Sequence, residues 1–195
     1  MFPDCDSFDY WRVHLLFDAR SFFCISYNDT CLCHYLCYYQ MVYQLVFMNL
    51  TWHYKNFEDL TSGELYEILQ LRSEVFVVEQ NCVYNDCDGK DTKSKHFWAE
   101  IDNQIVAYCR IVPPGISYSE PSIGRVVTHP NFRNLKLGKQ LMKQAIQVCE
   151  NTFDTESIRI SAQSYLKKFY ENLGFQQVSE EYLEDGIPHI EMLKI

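Results

Sequence analysis

Between Ile123 and Glu150 the chain reads as a strand stopped by a proline, a short basic loop and a long amphipathic helix, an order that few folds accommodate. The strand Ile123 to Thr128 ends at His129-Pro130, because proline has no N–H to give to a sheet. Arg133, Lys136 and Lys139 follow, and Leu137, Leu141, Ala145 and Val148 then recur at helical spacing on one side of a helix from about Leu137 to Glu150. A helix opening at Gly138 leaves unpaired N–H groups and the positive end of its dipole at one point. With the basic loop wrapped around it, that point suits an anion, and a diphosphate in particular. A solvated basic turn ahead of an ordinary amphipathic helix needs the same residues, and this stretch alone allows both.

The rest of the chain narrows the class. Its 195 residues, 47% hydrophobic, suffice for one good core and a short appendage. The net charge of −9 argues against a nucleic-acid or anionic-membrane partner, since those need clustered Lys and Arg. Of nine cysteines, five (Cys5, Cys24, Cys31, Cys33, Cys37) precede residue 48, and Cys82, Cys87, Cys109 and Cys149 are scattered. An odd count in a chain of this length reads as free thiols in a reducing compartment, hence a cytoplasmic protein. Cys82-x4-Cys87 lacks a second ligand pair, and no metal is expected.

Residues 1–47 differ in kind. Tyr, Phe and Cys dominate, glycine is absent, and neither the helical nor the strand period persists. No Asp, Glu, Lys or Arg occurs from Thr30 to Tyr54, which raises a membrane span, but the stretch is rich in Tyr, Cys, Gln and His and lacks a basic flank and a cleavage site. Cys31-Leu-Cys33-His34 with Cys37 has ligand residue types without a second pair on a separate turn. The expectation is an extension over 1–47 and a functional domain over 48–195, opening at Met48.

From Thr51 the punctuation becomes regular. Thr51 to Phe57 is a first strand, and Thr61 with Glu64 forms a capping box for a helix running to about Glu79, with Leu65, Ile68, Leu69, Arg72, Val75 and Phe76 on one face. An acidic loop spans Asn81 to Lys95, longer than most connections. Strands His96 to Ile101 and Ile105 to Val112 form a hairpin at Asp102-Asn103. After the central helix come a strand (Ser157 to Ser161), a helix (Tyr165 to Leu173), a turn at Gly174 and two closing strands around Glu184-Asp185-Gly186. The order is α+β, three layers with helices flanking a mixed sheet.

Val126-x-Thr128-x-Pro130-x-x-Arg133-x-x-Lys136-x-Gly138 resembles the acetyl-CoA motif of the GNAT superfamily, except that Lys136 stands where the family has its first glycine. A lysine fits there if its backbone keeps negative φ. Ser161-Ala-Gln163 and Lys168-Phe-Tyr-Glu-Asn-Leu-Gly-Phe175 are similar to the closing motif of that family, and Leu71-Arg72-Ser-Glu-Val-Phe76-Val-Val-Glu79-Gln80 with Asp86, Asp88-Gly89, Asp91, His96 and Asp185-Gly-Ile-Pro-His189-Ile looks like its ElaA-like branch. The resemblance covers roughly Thr51 to Ile195.

It implies a splayed β-sheet and an acyltransferase that moves acetyl directly from acetyl-CoA to a small-molecule or peptide amine. Val126, Val127, Thr128, Arg133, Asn134, Leu135, Lys136, Leu137, Gly138, Lys139 and Gln163 would hold the cosubstrate, with a strand N–H on the developing oxyanion. Tyr170 would protonate the departing thiolate, and Glu79 would serve as general base or ammonium anchor. Arg72, Gln80, His96, Arg110, Arg125 and His189 are the candidate acceptor residues. Arg72 lies on an apolar helix face, where pairing with Asp88 or Asp91 would relieve its burial. Phe169, Leu173 and Phe175 read as core. A CoA-binding or interaction module without turnover is the rival reading, argued from Lys136, and a homodimer stays open.

Overall fold

The computed structural model describes residues 49–195; the expected extension over 1–47, with its ligand-type cysteines and uncharged stretch, and Met48 lie outside them. Strand β1 is Leu50–Asn56. Helix α1, Ser62–Arg72, starts at the expected capping box: the Glu64 N–H donates to Thr61 Oγ1, and the Thr61 N–H donates to the Glu64 carboxylate. The helical path does reach Glu79, but its last seven residues, Ser73–Glu79, are a π-helix. Ile68, Leu71, Arg72 and Val75 are buried at helical spacing, while Leu65 and Leu69, on the edge of that stripe, are only partly covered.

Strands β2 (Lys95–Ile101) and β3 (Gln104–Val112) form the expected hairpin, whose Asp102 and Asn103 both take positive φ, 50° and 64°. Such a turn matches the twist of the paired strands, and Asp and Asn tolerate it. Next come β4 (Ser122–Thr128), helix α2 (Leu137–Phe153), β5 (Ile158–Gln163), helix α3 (Lys167–Glu171), and β6 (Gln176–Gln177), β7 (Tyr182–Glu184) and β8 (Ile187–Lys194). The sequence reading differs in three places. α3 is shorter than expected because Ser164–Leu166 forms a 3-10 turn, β6 was not anticipated, and on α2 Cys149 is fully buried where Val148 is only partly so.

The sheet order is β1-β2-β3-β4-β5-β8-β6, with β7 paired to β8. Only β4 and β5 run parallel, and they pair at a single register position, Ser122 opposite Arg159. Beyond it the strands diverge, which is the expected splay. One face packs on α2 and α3 through Leu137, Leu141, Met142, Ala145, Ile160 and Phe175; the other packs on α1 through Ile68, Leu71, Val75, Trp98 and Tyr108. The result is the three-layer α+β arrangement. No helix among the described residues is long and apolar enough to cross a membrane.

Candidate active site

The splay opens a cleft of about 900 Å³. Its centre is an irregularity in β4. Tyr108 faces Val127 and Arg110 faces Gly124, so Arg125 and Val126 together oppose Cys109. This is a β-bulge with Arg125 at φ 52°, a left-handed conformation that costs a non-glycine residue about 1–2 kcal/mol. It reverses the facing of the strand: Ile123 and Val126 pack toward α2, while Val127 packs toward α1. Val126, Val127 and Thr128 on one side and Ala162 and Gln163 on the other line the diverging walls.

Helix α2 begins without a side-chain cap, so its first-turn N–H groups are left without intrahelical partners; of the loop and first-turn candidates only Arg133 lines the cleft, and Asn134, Leu135, Lys136, Leu137, Gly138 and Lys139 do not. The preceding loop, Pro130–Leu135, is a 3-10 turn that places Arg133 on the cleft. Lys136 has φ 55°, so the negative φ expected for it is not what the backbone adopts. The chain reverses there to enter α2, a job that glycine does without strain. The helix itself opens at Leu137, with Gly138 second; a Cβ on Gly138 would lie 3.5 Å from Thr128 Cγ2, an ordinary contact. Leu135 and Leu137 are buried and Asn134, Lys136 and Lys139 exposed. Tyr170 lies at the inner end of the cleft, packed edge-on against Phe169 and Phe175. Burial pushes its phenol well above the ordinary value.

The segment from Glu79 to Cys82 spans the cleft by three contacts. Arg133 donates two bonds of 2.8 Å to the Glu79 carboxylate, Gln163 Nε2 donates to Gln80 Oε1 at 3.1 Å, and Cys82 Sγ–H donates to the Asp185 carbonyl at 3.4 Å. The Arg133 bond holds the Glu79 carboxyl below its usual range.

In and behind the opposite wall, six charges alternate in a closed ring, of which Asp88, Arg110 and Arg125 line the cleft. Arg72 bonds Asp86 (2.7 Å) and Asp91 (2.7 Å), Asp91 accepts from Arg110 (3.0 Å), Arg110 bonds Asp88 (2.7 Å), and Arg125 bridges Asp88 (3.5 Å) and Asp86 (2.7 Å). Arg72 thus pairs with Asp91 as expected, and with Asp86 rather than Asp88. The ring pins the acidic loop to α1, β3 and the β4 bulge. Burial raises the Asp88 and Asp91 carboxyls, but the bonds from Arg110 and Arg72 prevail and both lie below the ordinary value.

The sequence candidates therefore separate. Arg72 and His96, both 0% exposed, do not line the cleft. His96 Nε2 donates to the Asp91 carbonyl (3.2 Å) and Nδ1 accepts from the Tyr108 hydroxyl (2.9 Å), so both ring nitrogens are engaged. Glu79, Gln80, Arg110, Arg125, Arg133, Gln163, Tyr170 and His189 do line it. So do Tyr118, Ser161, Glu184 and Asp185; the sequence places the last three in a motif or a turn and gives none of the four a site role. The turn Glu184-Asp185-Gly186 was legible as a turn, but nothing local shows that it folds back over β5. Among the described residues no group of His, Cys, Asp and Glu is arranged to hold a metal ion.

A family model described as an acetyltransferase (GNAT) domain matches residues 61–195. Protein ElaA of Escherichia coli is 38% identical over 147 residues, covering 74% of this chain and 96% of that protein. Its crystal structure superposes with a TM-score of 0.70 at 37% identity, over 75% of this chain and 99% of that one. The structure of an acyl-CoA N-acyltransferase from Pseudomonas aeruginosa gives a TM-score of 0.73 at 44% identity, over 75% of this chain and all of that one (100%).

Proposed function

The chain belongs to the GNAT acetyltransferase family and is an acyltransferase, and from that membership we propose that it moves an acetyl group directly from acetyl-CoA to a primary amine. The observation that carries the proposal is the pairing of β4 and β5 at one position only, beside an uncapped helix start with Arg133 at its edge. Such a site fits a diphosphate with an extended arm: the first-turn N–H groups of α2 and the Arg133 guanidinium meet the phosphates, and the diverging strands take the arm. Gly138 leaves bare backbone beside Thr128 for the approach. Asn134, Lys136 and Lys139, exposed on the same loop and first turn, add donors and positive charge. Gln163 closes the far wall.

At the inner end, a strand N–H of Val126 or Val127 stabilises the charge that develops on the thioester oxygen, because the bulge turns the backbone out of its ladder there. The amine nitrogen bonds to the acetyl carbon, the C–S bond breaks, and Tyr170 gives its proton to sulfur. A phenol raised by burial stays protonated until that charge appears. Arg110, Arg125 and Gln80 shape the acceptor wall, while Arg72 and His96 support it from behind. The domain runs from 48 to 195 with residues 1–47 as an extension, and a reducing cytoplasmic setting suits the free Cys82, Cys87, Cys109 and Cys149.

Calorimetric titration of acetyl-CoA into the parent and into an Arg133→Glu, Lys136→Glu variant tests the donor site, with Tyr170→Phe as the control for transfer. Binding by the parent that is lost in the charge reversal, and thiol release that falls at least about a hundredfold in Tyr170→Phe, are expected. A folded parent that does not bind acetyl-CoA overturns the reading.

A further inference from the structure

We propose that His189 is the group that takes the proton from the acceptor ammonium, an inference that rests on the acetyl-transfer reading. An amine arrives at neutral pH as R–NH3+ and has no lone pair until a base removes a proton. The base must face the cleft, and it must have a free lone pair there.

His189 meets both requirements through the hairpin that presents it. Ile190 and Met192 on β8 are buried in the core on the α2 side, so alternation turns His189 to the other face, where it lines the cleft. It stands directly opposite Gln163 in the β5–β8 register, next to the diverging wall of the splay. Its ring lies over Tyr182 at 6.2 Å and 30°. The ring nitrogen Nδ1 is 2.8 Å from the carbonyl oxygen of Ile187. A carbonyl only accepts, so Nδ1 carries the hydrogen, and a neutral imidazole so held has its lone pair on Nε2. His189 is thus fixed in the tautomer that a base needs, and it is the one imidazole among the described residues lining the cleft.

Of the four carboxylates that line the same cleft, Glu79, Asp88 and Glu184 are already engaged, and Asp185 is exposed on the closing turn. Arg133 holds Glu79 and Arg110 holds Asp88, and both are depressed by it, which makes them poorer bases. Glu184 accepts from Ser161 Oγ at 2.9 Å, and Ser161 in turn accepts from the Tyr182 hydroxyl at 2.6 Å. That chain fixes a negative charge beside His189 that suits the incoming ammonium and the imidazolium that follows. Glu79, the expected base, is better placed to hold Arg133.

The protons balance. R–NH3+ gives one to Nε2, and the freed amine attacks the acetyl carbon. As the C–S bond breaks, Tyr170 protonates sulfur and takes back the second amine proton. The imidazolium returns the first to water, so one proton is released per acetyl group moved.

The experiment uses the full chain, acetyl-CoA and three amines, cadaverine, lysine and a peptide with a free N-terminus. Thiol release and acetyl-CoA affinity are measured for the parent, His189→Ala, His189→Gln and Glu79→Gln. Turnover of both His189 variants is expected to fall at least about a hundredfold, with acetyl-CoA affinity within about twofold of the parent. Added imidazole is expected to restore turnover to His189→Ala, whose cavity admits it, and not to His189→Gln, while the turnover of Glu79→Gln is expected not to respond to imidazole. His189→Ala turning over at the parental rate, or losing turnover without imidazole rescue, overturns the assignment. A parent that binds acetyl-CoA yet releases no thiol with any amine overturns the transfer reading and this inference together, and is told apart by the parent alone.

Discussion

Arg133 reaches across the cleft to Glu79 with two bonds of 2.8 Å, so the cation on the proposed anion-binding loop is already paired with an acid from the π-helix. An incoming diphosphate must compete with that carboxylate. Removing its charge by Glu79→Gln should therefore tighten acetyl-CoA binding. The pair is exposed at 44% and 43%, and water screens it, so the gain is about two- to fivefold, matching an exposed pair of up to about 1 kcal/mol. Calorimetry at low and high salt checks it: the gap between parent and variant should narrow as salt rises.

The ring of three arginines and three aspartates makes the acidic loop sensitive to acid. Asp88 and Asp91 lie below their ordinary value in the fold, so the unfolded chain binds more protons than the folded one as pH falls. Their contribution is complete above the unfolded carboxyl value of about 3.9 and is lost as pH drops through it toward the folded values. Urea midpoints should hold steady from about pH 7 to about pH 5 and fall below that. Asp91→Asn should cost about 3–5 kcal/mol at neutral pH, since it strips a partner from a fully buried Arg72, and should flatten the acid limb.

Lys136 turns the chain into α2 with φ 55°, in the place where the resembling motif has glycine. Lys136→Gly should raise stability by up to about 1 kcal/mol, the left-handed cost less the extra unfolded-state freedom of glycine. Thermal melts measure it. Acetyl-CoA binding should persist in the variant, because the turn geometry is kept and only a rim charge is lost; a variant that melts lower would mean that the Lys136 side chain holds the turn.

What the sequence made legible was whatever local chemistry decides. The Thr61 and Glu64 capping box, the Asp102-Asn103 hairpin and the stripe Leu137, Leu141, Ala145 each rest on residues a few positions apart, and each is present. The left-handed backbone at Lys136 and the bulge at Arg125 escaped, because both residues are ordinary strand or helix formers and the constraint comes from elsewhere in the sheet. The partner of Arg72 was half legible: an acid was required by burial, but Asp86, Asp88 and Asp91 are equivalent in sequence, and only the loop path selects among them. Glu184 and Asp185 show the same limit, since a turn in sequence became a cleft wall only through β8 pairing with β5.

Charge in the cleft bears on the acceptor. Arg110, Arg125 and Arg133 are each paired with acids, whereas Glu184 and Asp185 line the cleft without a cation bonded to them among the described residues, against Lys90 as a cation without an acid partner there. An ammonium is favoured at that end, and a carboxylate on the acceptor has little to meet it. Cadaverine and lysine carry the same terminal amine and differ by the α-carboxylate, so they form a matched pair. kcat/KM for cadaverine should exceed that for lysine about tenfold or more, the effect of 1.4 kcal/mol of repulsion. Glu184→Gln should shrink the difference, because it removes one of the two charges that produce it. A preference for lysine in the parent would instead place the acceptor carboxylate on Lys90, and Lys90→Gln would then abolish that preference.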